Sequence, residues 1–206
     1  MVCWKDERKE QKKMEKMNKQ VDVLIVGGGP AGMSAALWLS RARKEVVVLD
    51  AGQPRHGVTK GVHNFLTREG MAPSELREVA WAQMAAYPTV HRVGAYVESI
   101  ESFGGGWRAR GRGGEVWEAK AMLLAVGVID HHPTIRGYGE RWGESIHHCP
   151  YCHGWEMRDR PLAVLASGKF ATHLPPLLLG WTDDVILLTH GGELSDEEEK
   201  VVREKK

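Results

Sequence analysis

The stretch HHCPYCHGWE, His147 to Glu156, sets two cysteines three positions apart with histidines on both sides. Three chemistries use that spacing. Covalent haem attachment needs C-x-x-C-H, and Cys149-Pro150-Tyr151-Cys152-His153 matches it letter for letter, although c-type haem is normally attached outside the cytoplasm and the first residues show no export signal. Zinc would take Cys149 and Cys152 with His147, His148 or His153, since thiolate and imidazole suit that ion. Structural zinc sites usually draw a second pair from a distance, however, and the sequence has no further C-x-x-C or H-x-x-x-H. The third chemistry is a dithiol that cycles between thiols and disulfide. Thiolates are its nucleophiles, and helix N-termini and neighbouring histidines favour them. In that reading His153, next to Cys152, is the proton donor or acceptor.

A second cluster is Gly27-Gly28-Gly29-Pro30-Ala31-Gly32, which satisfies G-x-G-x-x-G directly after an apolar run and at the start of a helix-period segment. Gly27 permits the tight turn, Gly29 lets backbone approach a pyrophosphate, and Gly32 allows close packing of helix on strand. Unpartnered amides around Pro30 and Ala31, with the positive end of the helix dipole, attract the phosphates. Asp50, eighteen residues beyond Gly32, closes the second apolar run and is placed to accept hydrogen bonds from an adenosine ribose. A carboxylate there suits an unphosphorylated ribose, as in FAD or NAD.

The elements that must position these groups are legible as patterns. Val21–Val26 and Glu45–Asp50 are nearly continuous in apolar residues, as parallel strands covered on both faces require, and a helix lies between them. Pro73 to Tyr87 reads as a helix opened by proline and stopped before Pro88. Candidate strands follow at Arg92–Ser102, Trp107–Gly111 and Glu115–Val126, separated by glycine turns. They form a β-meander whose last part, Ala121–Val126, rejoins the parallel sheet. Gly127 to Gly143 reads as a domain boundary. A weaker βαβ then runs through Leu162–Ala166, a helix over Ala171–Leu179 disturbed by Pro175 and Pro176, and Val185–Thr189, before a charged helical end. The expected fold class is α/β: a Rossmann-type dinucleotide domain with an inserted β-meander, followed by a partial second Rossmann-type domain. The boundaries expected are a charged extension over 1–20, in which Met17 is an alternative start, a first domain over 21–130, and the cysteine motif with an incomplete second domain over 131–206.

Composition narrows the function classes. The 28 Lys and Arg balance 27 Asp and Glu for a net charge of +1, which gives no field for nucleic acid or an anionic membrane. Three cysteines, Cys3, Cys149 and Cys152, are too few for a disulfide scaffold, so the close pair reads as catalytic or metal-binding and Cys3 as incidental. No apolar run approaches the ~20 residues of a membrane span. A cytoplasmic protein is expected.

VDVLIVGGGPAG, the helix after it, KEVVVLD, the strand end LLAVG and CPYCHGWE, in this order, resemble the low-molecular-weight thioredoxin reductases and their flavin-dependent disulfide-oxidoreductase relatives, in the branch whose pair is followed by histidine and glycine. The resemblance covers Lys19 to Gly191. It implies FAD held by Gly27, Gly29 and Gly32, with the adenosine ribose on Asp50, Asn64 near the flavin, and Gly127 at the cofactor-side strand end. It implies that Cys152 faces the isoalloxazine, that Cys149 exchanges with the substrate disulfide, and that His153 replaces the aspartate other members use as acid–base partner. The reductant implied is NADPH or NADH, the electron acceptor a thioredoxin-like protein or small disulfide, and the assembly a homodimer.

Departures from the pattern stand beside these implications. Ala125-Val126-Gly127 replaces an A-T-G strand end, and the second nucleotide motif reads Ala166-Ser167-Gly168-Lys169-Phe170-Ala171, with alanine for its first glycine. No arginine cluster follows Thr189 to receive a 2′-phosphate. The family continues beyond this length, so the chain reads as a truncated member, and the alternative function is a flavoprotein remnant or interaction module.

Overall fold

The computed structural model describes residues 21–204; the expected extension over 1–20, with Cys3, lies outside the described residues. Two compact units form. One comprises the described residues up to Gly61 together with Met71–Ile135, the other Val62–Gly70 together with the chain from Arg136 onward.

In the first unit, β1 (Val21–Val26) and β2 (Val46–Asp50) pair in parallel, from Val23 opposite Val46 to Val26 opposite Leu49. The helix α1 (Pro30–Arg41) connects them, opened by a proline at N1 whose missing N–H would have had no intrahelical partner. Successive strand side chains point to opposite faces. Ile25, Val46 and Val48 pack with Met33 and Ala36 of α1 and with Met84 at the end of α2 (Pro73–Met84). Leu24, Val47 and Leu49 pack on the other face with Ala109 and Ala119. Burial on both sides explains why these strands are continuous rather than alternating in apolar residues.

The sheet runs β3-β2-β1-β6-β5-β4. β3 (Val90–Gly94) lies parallel to β2, and β6 (Val116–Leu124) lies parallel to β1 on its other side. β5 (Gly106–Gly111) and β4 (Val97–Phe103) extend it antiparallel, as the expected meander. The sequence reading ran one strand from Arg92 to Ser102, whereas the chain divides it after Gly94. There the Ala95 N–H bonds back to the Asp50 carbonyl at 3.2 Å, so the parallel edge strand ends before the meander begins.

The second unit carries a two-stranded parallel sheet of β7 (Leu162–Leu165) and β8 (Val185–Leu188), joined through α5 (Lys169–Leu178), which takes both Pro175 and Pro176 inside it. Before it stand α3 (Tyr138–Arg141) and α4 (Pro150–Met157), and after it α6 (Asp196–Glu204). A reciprocal cap starts α6: the Glu198 N–H donates to Ser195 Oγ and the Ser195 N–H donates to Glu198 Oε2. Among the described residues no helix is long and apolar enough to cross a membrane.

Candidate active site

The glycine cluster is the turn from β1 into α1. Gly27 has φ +108°, open only to glycine, and a Cβ there would strike the Ala125 carbonyl at the end of β6. A Cβ on Gly32 would strike the Gly27 carbonyl and lie 3.3 Å from Ile25, so close helix-to-strand packing fixes this position. Gly28 presses on Asp50, where a Cβ would lie 2.6 Å from the carboxyl carbon. Gly29, the N-cap of α1, is different: a Cβ would meet nothing within 4 Å. The fold does not need glycine at that position, but a backbone approached by a phosphate does. With the first-turn amides of α1 beside it, the cradle fits a dinucleotide pyrophosphate.

Asp50 is 7% exposed at the end of β2. Its Oδ1 accepts the Gly52 N–H at 3.1 Å, and its Oδ2 accepts from Arg77 Nη2 of α2 at 2.5 Å, with Arg92 Nη2 of β3 3.6 Å away. A carboxylate offers about four lone-pair sites, so these partners leave acceptor capacity for a ribose hydroxyl. Arg77 was not legible in the sequence as a partner of this acid; an arginine in the first turns of a helix following a long loop carries no distinguishing pattern. Gly127, with φ +68°, lies beyond β6, two residues after the Ala125 carbonyl that covers Gly27.

The cysteine pair occupies the start of α4. Cys149 is the N-cap in extended backbone, Pro150 takes N1, and the Cys152 N–H closes the turn on the Cys149 carbonyl at 3.2 Å. This brings the two sulfurs to 2.8 Å as thiols, both part-buried. Gly154 is buried under Trp181, where a Cβ would lie 2.8 Å from the indole, so α4 needs glycine in its middle to pack.

Around α4 lies a group of titratable side chains drawn from α4 itself, the segment before it and the segment 62–70. His147 and His153 stack with ring centroids 4.0 Å apart, and His63 stands edge-on to His153 at 5.9 Å. His63 Nδ1 is 2.7 Å from Glu69 Oε1 and 3.5 Å from Glu156 Oε1. Burial pushes the His153 imidazole below its usual value; the charges of His147, His63 and His148 act in the same direction and Glu156 opposes them. Burial lowers His147 as well, aided by His148 and opposed by the Glu144 carbonyl and Glu156. Neither ring nitrogen of His153 has a hydrogen-bond partner among the described residues. A neutral imidazole with an open ring nitrogen is a proton acceptor. The His63 hydrogen bond holds the Glu69 carboxyl below the usual carboxylate range, with the Asn64 and Phe65 amides and the His63 charge adding and burial opposing.

Among the described residues, the ligand atoms that gather within 4.8 Å are those of His63, Glu69 and Glu156, and no cysteine is in that group. Asn64, in the same segment as His63, donates its side-chain amide to the Tyr151 carbonyl of α4 at 2.7 Å. Gly168 is the N-cap of α5 with φ +56°, and a Cβ there would meet nothing within 4 Å, while Phe170 beside it is exposed.

These features define an α/β protein with a Rossmann-like parallel sheet, a glycine turn between strand and helix, and a paired-thiol helix. Residues 21–204 match the model of the pyridine nucleotide-disulphide oxidoreductase family. Thioredoxin reductase aclD of Aspergillus oryzae is 38% identical over 181 residues, covering 84% of this chain and 57% of that protein. Thioredoxin reductase tcpT of Claviceps purpurea is 35% identical over 185 residues, covering 84% and 56%. Among solved structures, HlmI superposes with a TM-score of 0.86 at 38% identity, over 90% of this chain and 59% of its own. An oxidoreductase from Agrobacterium tumefaciens superposes at 0.85 with 36% identity, over 91% and 63%. The chain belongs to the pyridine nucleotide-disulphide oxidoreductase family, and it resembles the thioredoxin reductases within it. It spans about half the length of the curated relatives it matches.

Proposed function

We propose that this chain is the FAD-dependent disulfide-reducing part of a thioredoxin-reductase-like enzyme, in which Cys149 and Cys152 exchange with a thioredoxin-like protein or a small disulfide. The carrying observation is the sulfur pair at the first turn of α4, 2.8 Å apart at the N-terminus of that helix. In this reading residues 21–130 form the FAD-binding domain and 131–206 the redox segment with an incomplete nicotinamide-nucleotide domain. Gly27, Gly29 and Gly32 with the α1 amides hold the pyrophosphate, Asp50 takes the ribose, and Gly127 borders the cofactor. FAD, when bound there, supplies two-electron transfer between a nicotinamide and a disulfide.

The protein's own residues carry the thiol chemistry. Cys149 attacks one sulfur of the substrate disulfide and forms a mixed disulfide, releasing the first substrate thiolate. Cys152 then attacks Cys149, closing the Cys149–Cys152 disulfide and releasing the second. His153 accepts the thiol proton lost on attack and returns it to a leaving thiolate, so two thiols of the protein become two thiols of the substrate. Gly168 at the α5 N-cap is the place for a nicotinamide-nucleotide phosphate, from NADPH or NADH. A reducing compartment such as the cytoplasm and a homodimeric assembly suit this reading. Replacing Cys149 by serine should abolish disulfide turnover while leaving the flavin spectrum of the FAD-loaded protein intact; unchanged turnover would refute the assignment.

A further inference from the structure

One side chain from outside α4 takes hold of its first turn. Asn64 has left-handed backbone, φ +61°, which asparagine tolerates better than most residues. Glu69 locks it there: its Oε2 accepts the Asn64 N–H at 2.8 Å while its Oε1 lies 2.7 Å from His63 Nδ1. From that fixed position the Asn64 amide reaches the Tyr151 carbonyl, 87 residues away in sequence. Tyr151 lies between the two cysteines.

The turn it grips has little support of its own. α4 has eight residues and no side-chain cap, and helices this short are marginal without tertiary contacts. The geometry of the sulfur pair depends on that turn staying wound, because Cys149 precedes the helix and Cys152 is within it. A donor on the intervening carbonyl opposes rotation of the Tyr151 peptide and so preserves the approach of the two sulfurs.

We propose that Asn64 is a positioning residue for the dithiol, holding the first turn of α4 so that Cys149 and Cys152 close readily into a disulfide. This rests on the reading of the pair as the exchanging dithiol, and it gives Asn64 a role on the redox helix where the family resemblance suggests one at the flavin.

The test uses the full chain with its thiols reduced and no cofactor. Diamide takes two electrons and two protons from the pair, and the rate at which the Cys149–Cys152 disulfide forms is followed by site-resolved mass spectrometry. Asn64→Gly keeps the left-handed backbone and removes the donor; Asn64→Asp keeps size and turn preference but faces the carbonyl with an acceptor. Closure should slow about fivefold in Asn64→Gly, the scale of one neutral hydrogen bond, and at least as much in Asn64→Asp. Glu69→Ala, which frees the Asn64 backbone, should slow it about twofold and serves if an Asn64 variant does not fold. The urea midpoint of Asn64→Gly should stay close to that of the parent. Unchanged closure in the folded variants would overturn the proposal. Because closure by diamide needs no turnover, this outcome is separate from that of Cys149→Ser, on which the enzymatic reading depends.

Discussion

The glycine cradle and the thiol helix are held by different physics. In the first unit the glycine turn is boxed in by main chain: the Ala125 carbonyl over Gly27, the Gly27 carbonyl over Gly32, with the buried second half of β1 and the buried β2 leading into it. Among the described residues, the buried Leu, Ile, Val, Met and Ala side chains belong to that unit, Val164 and Ala171 excepted. In the second unit a two-stranded sheet leaves Leu165, Ile186 and Leu188 exposed, and α4 is fixed by a single buried glycine, an asparagine bond and a set of stacked imidazoles. A phosphate cradle must be rigid and can be made by steric exclusion. In the proposed function the thiol pair changes covalent state, and polar groups that tolerate the change position it.

Substitutions can break or sharpen this contrast. The largest effect should come from the first core: Leu49→Ala, in a side chain 1% exposed, is expected to lose about 2–5 kcal/mol in urea unfolding. Leu188→Ala in the second sheet should stay within about 0.5 kcal/mol. Equal losses would mean that the two units share one level of packing. His153→Ala should slow thiol–disulfide exchange by about a hundredfold at neutral pH while leaving the unfolding midpoint of the first unit unmoved. An effect on exchange smaller than threefold would remove His153 from the proton path. Gly32→Ala should cost about 1–3 kcal/mol and weaken FAD binding, because its methyl group meets the Gly27 carbonyl, while alkylation of Cys149 by iodoacetamide stays at the parent rate. Slowed alkylation in that variant would show that the cradle and the thiol helix are not independently held.

The smallest expected effect is a pH slope. His147 and His153 are lowered by burial, so above about pH 6.5 both the folded and unfolded chains carry them neutral and they contribute nothing. As pH falls through that value the unfolded chain takes up protons first, and stability drops. Urea midpoints at pH 7.5 and 5.5 should therefore differ, with a shallower slope in His147→Asn; a midpoint that rises on acidification would contradict the burial of these rings.

What the sequence made legible follows the same division. β1 and β2 stand out because burial on two faces forces continuous apolar runs, and the glycine cluster because steric exclusion leaves glycine little alternative. The break between β3 and β4 was hidden: Gly94 stands alone, with no paired turn residue, between two segments of similar strand character. The cysteines were found by spacing, yet the helix that carries them is too short, and too interrupted by Pro150 and Gly154, to show a helical period. His63, Asn64 and Glu69 join α4 only through long-range contacts, which local pattern does not record. A polar site assembled from distant segments leaves its trace in residue type alone, here the density of histidines from His147 to His153.

The most direct measurement is an anaerobic titration of the full FAD-loaded chain, starting from the oxidised pair, with NADH and in parallel with NADPH. Flavin absorbance is followed while new thiols are counted by site-resolved alkylation. The account predicts that bleaching of the flavin is accompanied by one pair of new thiols, at Cys149 and Cys152. Bleaching that leaves those two sulfurs joined would contradict it.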